Sequence, residues 1–191
     1  MTSGPVQIAL LRGVMPTGKN RVPMAELRAL LGELGFEGVR TYIASGNAVF
    51  RSRGPVGAEL EALLEDAIAE RIGPRLDVMV RDRPWWEAAM AACPFPEVAA
   101  ERPNRLLMTV LKGTPEPAGA RAFEALAEPP DAVRVVGDVA WIVFSGADSL
   151  KKLTPAACRR TLGPISTTGR NWNTAVKLRQ MAAELDAGPP P

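Results

Sequence analysis

The sequence contains no histidine. That absence removes Ser-His-Asp and Cys-His nucleophile activation, together with the commonest transition-metal ligand. Cysteine is scarce as well. Cys93 and Cys158 lie far apart and neither belongs to a Cys-x-x-Cys pair, so neither a disulfide framework nor a structural zinc site is expected. No paired-carboxylate signature stands out, because Asp77, Asp82 and Glu87 are scattered. Nothing here asks for a metal or a cofactor. Apolar runs are short, none approaching the roughly 20 residues that span a bilayer, and Met1-Thr2-Ser3-Gly4-Pro5 has neither the basic stretch nor the apolar core of a secretion signal. The expectation is a cytoplasmic protein with no membrane association. Charge of one sign is not in excess either: 23 Lys and Arg against 21 Asp and Glu give a net +2. That balance does not demand a nucleic-acid partner, although local basic clusters could still bind phosphate.

What is present is an ordinary globular composition, 47% hydrophobic and 23% charged over 191 residues, enough to bury a sizeable core. Val6 to Arg12 is a short apolar run closed by Gly13 and reads as a central strand. Pro23 suits a first helical position; Met24, Leu27, Leu31 and Leu34 follow at helical spacing until Gly35, which predicts a helix over about 23–34. Two strands, 39–44 and 48–51, flank Ser45-Gly46-Asn47, a hairpin signal. Leu60, Leu63, Leu64, Ala67 and Ile68 form a second helical stripe ended by Gly73-Pro74, and a strand over 76–80 follows. The order is βαββαβ, the ferredoxin-like split βαβ, with two helices on one face of an antiparallel sheet.

After a short helix near Pro84-Trp85-Trp86 comes a proline-rich stretch from Cys93-Pro94-Phe95-Pro96 to Pro103. The pattern then restarts. A strand over 106–111, a helix over 118–127 and a hairpin of 133–136 with 139–144 around Gly137-Asp138 give a related second half. A helix over about 149–160, the segment Ser166-Thr167-Thr168-Gly169, a long helix over 172–185 and a frayed Gly188-Pro-Pro-Pro tail complete it. The expected α+β architecture is therefore a ferredoxin-like half over 1–83, a helix and connection over 84–103, and a βαββα half with a terminal helix over 104–191. The first strand of each half ends alike, in Leu11-Arg12-Gly13 and Leu111-Lys112-Gly113, which suggests duplication.

Two polar constellations stand out. Gly13 to Asn20 fits the G-x-x-x-x-G-K part of a phosphate-binding P-loop, but Asn20 replaces the hydroxyl residue that would hold magnesium, and the helix begins too late to aim its amides at a phosphate. Topology offers more than the motif. In a βαββαβ unit the first strand-to-helix loop and the hairpin emerge at one end of the sheet, so Arg12, Thr17, Lys19 and Asn20 should neighbour Ser45 and Asn47. The plainer alternative is ordinary turn residues with solvated charges. The second constellation, Ser166 to Lys177, offers Arg170, Asn171 and Asn173 where a helix begins. It suits an anion or, alternatively, a helix cap with Trp172 packed in the core. Trp85 and Trp86 read as packing residues, Lys151-Lys152 as an exposed face, and both cysteines as inert.

Ala9-Leu-Leu-Arg12-Gly13, Gly18-Lys19-Asn20, Tyr42-Ile-Ala-Ser45-Gly46-Asn47 and Arg170-Asn171-Trp172-Asn173-Thr174 resemble, in order and spacing, the bacterial family known as domain of unknown function 1697. The resemblance implies a compact α+β protein with ferredoxin-like parts and brings no activity, substrate or cofactor. The sequence departs from the family's usual Arg-Gly-Ile-Asn-Val-Gly-Gly loop: Met15 stands in place of the asparagine and Pro16-Thr17 in place of Val-Gly. The matched polar positions are Arg12, Lys19, Asn20, Ser45, Asn47, Arg170, Asn171 and Asn173.

The leading expectation is a protein that binds a small anionic ligand, such as phosphate, a nucleotide or a phosphorylated metabolite, through those residues. One alternative is a histidine-free enzyme using Lys19 or Ser45, with Arg12 or Arg170 stabilising negative charge. Another is a protein-interaction module exposing Trp85 or Trp86. A nucleic-acid-binding module is disfavoured, because the first strand has no aromatic and the third offers only Phe50 for base stacking.

Overall fold

The computed structural model describes residues 4–146 and 149–188; the proline tail beyond Gly188 lies outside them. The first sheet forms from β1 (Val6–Leu11), β2 (Glu37–Thr41), β3 (Asn47–Arg51) and β4 (Val78–Asp82). Its order is β2-β3-β1-β4 and every pairing is antiparallel. Helices α1 (Met24–Glu33) and α2 (Gly57–Arg71) connect the strands as a split βαβ requires. α1 buries Leu27, Leu30 and Leu31 at helical spacing, and α2 buries Leu60, Leu64 and Ile68. These side chains meet Ala9, Leu11, Ala48, Phe50, Val78 and Val80 from one face of the sheet. Each fully buried aliphatic side chain contributes about 1.5–3 kcal/mol. The other sheet face is buried too, with Ile8, Leu10, Val49 and Met79 at 0–1% exposure.

After α3 (Arg83–Ala91) and α4 (Pro96–Glu101), a second sheet is built from β5 (Leu106–Leu111), β6 (Ala132–Val136), β7 (Val139–Val143) and β8 (Thr167–Asn171). Its order, β6-β7-β5-β8, repeats the first. Helices α5 (Pro117–Glu124) and α6 (Pro155–Leu162) provide the crossovers and α7 (Trp172–Ala187) closes the chain. Phe123, Val133, Ala140, Ile142 and Leu162 form the core of this half.

Two local expectations change. Thr167–Gly169, given no element in the sequence reading, belong to strand β8, which pairs with β5 and completes a second βαββαβ. The long helix expected over 149–160 divides, because Pro155 cannot continue a preceding turn; it occupies the first position of α6 instead, where Thr154 Oγ1 accepts the Ala157 N–H at 3.1 Å.

The repetition reaches individual bonds. Leu11 N–H donates to Gly46 O at 2.8 Å and Arg12 N–H to Asp77 O at 2.9 Å; Leu111 N–H donates to Asp138 O at 2.9 Å and Lys112 N–H to Ser166 O at 2.8 Å. Asp82 Oδ1 accepts the Trp85 N–H at the start of α3, and Asn171 Oδ1 accepts the Thr174 N–H at the start of α7. By compactness the chain divides into Met1–Ala88 with Lys177–Pro191, and Ala89–Val176, the boundaries falling inside α3 and α7.

Candidate functional site

In the first unit the β1–α1 loop and the β2–β3 hairpin share one end of the sheet. Gly46, at φ +76°, is the point of closest approach: a Cβ there would lie 2.6 Å from Leu11 Cβ and 2.8 Å from Val14 Cγ2. Only glycine lets the hairpin sit against the loop in this way. The loop is itself braced, by Met15 N–H to Asn20 O at 3.0 Å, Arg21 N–H to Gly18 O at 3.1 Å and Asn20 Nδ2 to Gly13 O at 3.4 Å. On the hairpin, β-branched Ile43 is held at φ +47° and is half exposed, a strained conformation for such a side chain.

The polar residues expected to line this rim are used unequally. Asn47 is fully buried and its Nδ2 donates to Tyr42 O and to Ser45 Oγ, each at 3.0 Å, so it staples the hairpin. Arg12 pairs with Asp77 at 3.1 Å in a half-exposed position. Lys19 stands exposed and makes no hydrogen bond or ion pair with the described residues. The same holds for the side chain of Arg21, which sequence reasoning passed over although it lies in the same basic loop. No acidic residue occurs between Arg12 and Ala25.

The other constellation lies in the second unit. Arg170 is 8% exposed on β8; its Nη1 donates to Thr168 Oγ1 at 2.8 Å and to Gly169 O at 2.9 Å. Burial pulls its guanidinium below its ordinary value, to about 10. Asn171 is the helix cap already described, and Asn173 is exposed. Trp172 is tilted against Trp141 with ring centroids 5.8 Å apart.

Residues 5–141 match the family described as a protein of unknown function, DUF1697. The chain belongs to that family. A solved structure of a conserved bacterial protein from Streptococcus pneumoniae is 24% identical over 94% of this chain and 99% of that one, with a TM-score of 0.69. That likeness shows a shared fold. Among curated proteins none matches.

Other expectations for this member of the DUF1697 family meet plain geometry. Phe50 is fully buried and stacked on Phe36 at 4.6 Å, so it offers no face to a nucleic-acid base. Trp86 is buried and Trp85 lies under the Arg81 guanidinium at 5.1 Å. Cys93 and Cys158 are in no disulfide and are partly buried, and desolvation raises the Cys93 thiol above its ordinary value. No helix among the described residues is long and apolar enough to cross a membrane. A cavity of about 230 Å³ in the second unit, lined by Leu126, Val133, Ile142 and Leu153 with the Glu128–Lys152 ion pair, involves none of the residues nominated from sequence.

Proposed function

We propose that the protein binds a small anionic ligand, phosphate or the phosphate of a nucleotide or metabolite, on the rim of the first unit. One observation carries the reading: Gly46 packs the hairpin against a braced loop on which Lys19 and Arg21 face solvent without an acidic counter-charge. A fixed backbone lowers the entropic cost of holding an ion, and two uncompensated cations raise its local concentration. Exposed Lys19 lacks the desolvated setting of a catalytic amine, which favours binding over catalysis. Two cysteines outside any disulfide suit a reducing compartment, and cytoplasmic placement belongs to the same proposal.

Titration of the full chain with inorganic phosphate and a mononucleotide, followed by NMR, tests it. Lys19, Arg21 and Ser45 signals should move, weakly and less at high salt, and the double variant Lys19→Ala/Arg21→Ala should abolish the response. Stationary signals at all three positions in the unmodified protein would discard the reading.

A further inference from the structure

The rim that carries Lys19 and Arg21 also shows solvent two large apolar side chains. Met15 is 54% exposed and Ile43 51%. Neither joins the core of the first unit, although Val14, the neighbour of Met15, packs against it. Ile43 is the clearer case, because glycine or asparagine adopts φ +47° with little strain whereas a β-branched side chain does not. The turn is held on both sides of it: Asn47 Nδ2 donates to Tyr42 O and to Ser45 Oγ, each at 3.0 Å, and Tyr42 N–H donates to Asn47 O at 3.1 Å. Strain is thus kept at a residue whose side chain stands half in water. Such an outlier points to a contact outside the chain.

The apolar and cationic groups share one frame. Met15 and Arg21 are bridge partners, and Met15 N–H donates to Asn20 O at 3.0 Å, so the loop sets an exposed thioether residue beside an exposed guanidinium residue. Gly46 seats the hairpin that carries Ile43 against Val14, the residue before Met15. The amide donors of the same segments are turned inward: Asn20 Nδ2 donates to Gly13 O at 3.4 Å, and Asn47 Nδ2 bonds within its own hairpin. A hydroxyl-rich ligand finds little here to pair with. A ligand with an apolar face covers surface that is otherwise wet.

We propose that the anion held on this rim is the phosphate of a mononucleotide, whose base lies against Met15 and Ile43. The inference rests on the anionic-ligand reading and narrows it: inorganic phosphate offers nothing to the apolar pair, and a sugar phosphate meets it with hydroxyls. A nucleotide carries a flat apolar face and an anionic group in one molecule, the two features that this loop and hairpin present together. The unbranched, polarizable side chain of Met15 adapts to a flat ring. Ile43 supplies a rigid counterpart, because the fixed turn leaves it little freedom to lose on binding. Lys19 and Arg21 hold the phosphate through charge-assisted bonds.

Titration of the full chain with adenosine monophosphate, ribose phosphate and inorganic phosphate at one ionic strength, followed by NMR, tests the assignment. The nucleotide should bind about tenfold more tightly than ribose phosphate, the scale set by covering one large aliphatic side chain. It should also shift the methyl signals of Met15 and Ile43. Met15→Gln and Ile43→Asn, the second compatible with the left-handed turn, should each bring the nucleotide down toward the affinity of ribose phosphate. Equal affinities for the three ligands, or a nucleotide preference that both variants retain, would overturn the base contact and leave the anion site standing. Silence at Lys19 and Arg21 toward all three would overturn both. Attachment to phosphatidylglycerol vesicles, with no preference among the soluble ligands, would assign the apolar pair to a lipid surface and so refute the nucleotide.

Discussion

Glu61 accepts two donors with one oxygen while its side chain is only 5% exposed and that of Arg81 is 14% exposed. Removing the carboxylate takes one acidic partner from a buried guanidinium and the acceptor from a strand amide. Glu61→Ala is therefore expected to cost about 3–5 kcal/mol in urea denaturation. The Arg71–Glu33 pair has a similar separation, 2.9 Å, but both side chains are more than half exposed. Glu33→Ala should change stability by no more than about 1 kcal/mol, since solvent screens such a pair. Equal costs for the two variants would show that burial does not decide the worth of these ion pairs. At this scale the sequence was least informative about asparagine. Asn47 and Asn171 are plausible ligand donors by residue type, yet one bonds its own hairpin and the other its own helix. Whether a short amide side chain turns back on its main chain depends on dihedrals that residue type alone does not set.

At the scale of the element, the hairpin joining β2 and β3 depends on one missing side chain. Gly46→Ala meets both a left-handed backbone and contacts of 2.6 and 2.8 Å with Leu11 and Val14, so it should cost about 2–4 kcal/mol. Gly18→Ala, at φ +80° with nothing within 4 Å, meets the backbone penalty only, about 1–2 kcal/mol. Thermal unfolding of the two variants checks the difference. Elements with apolar periodicity were legible: β5 lies over the span its Leu-Leu-Met-Thr-Val-Leu run suggests, and α1 and α2 follow their leucine spacing. Strand β8 was not. Thr-Thr-Gly-Arg-Asn has no apolar alternation, and its strand character comes from pairing with β5, a partner remote in sequence.

For the whole molecule, two sheets of one topology make a joint prediction about exchange. β1 and β5 are each paired on both sides and buried, so their amides should be the slowest to exchange with deuterium in their respective units. Val78 and Val80, bonded to glutamates, should exchange more slowly than Thr167 and Gly169, although all four lie on sheet edges. Equal protection in the two pairs would remove the contrast between β4 and β8. The repeated βαββ order was readable from turn residues and hydrophobic runs. The neighbouring of the first loop and hairpin followed from topology alone, whereas the burial of Arg170 did not, because an arginine followed by asparagine reads as surface until strand pairing is known.

The arrangement at β8 also governs how the protein keeps company with itself. Two copies laid edge to edge along this strand would each present a bare Gly169 donor, but the Gly169 acceptor needed to receive it is already taken by Arg170 of the same chain. A second copy would have to share that carbonyl with Arg170, so the guanidinium weakens pairing along this edge.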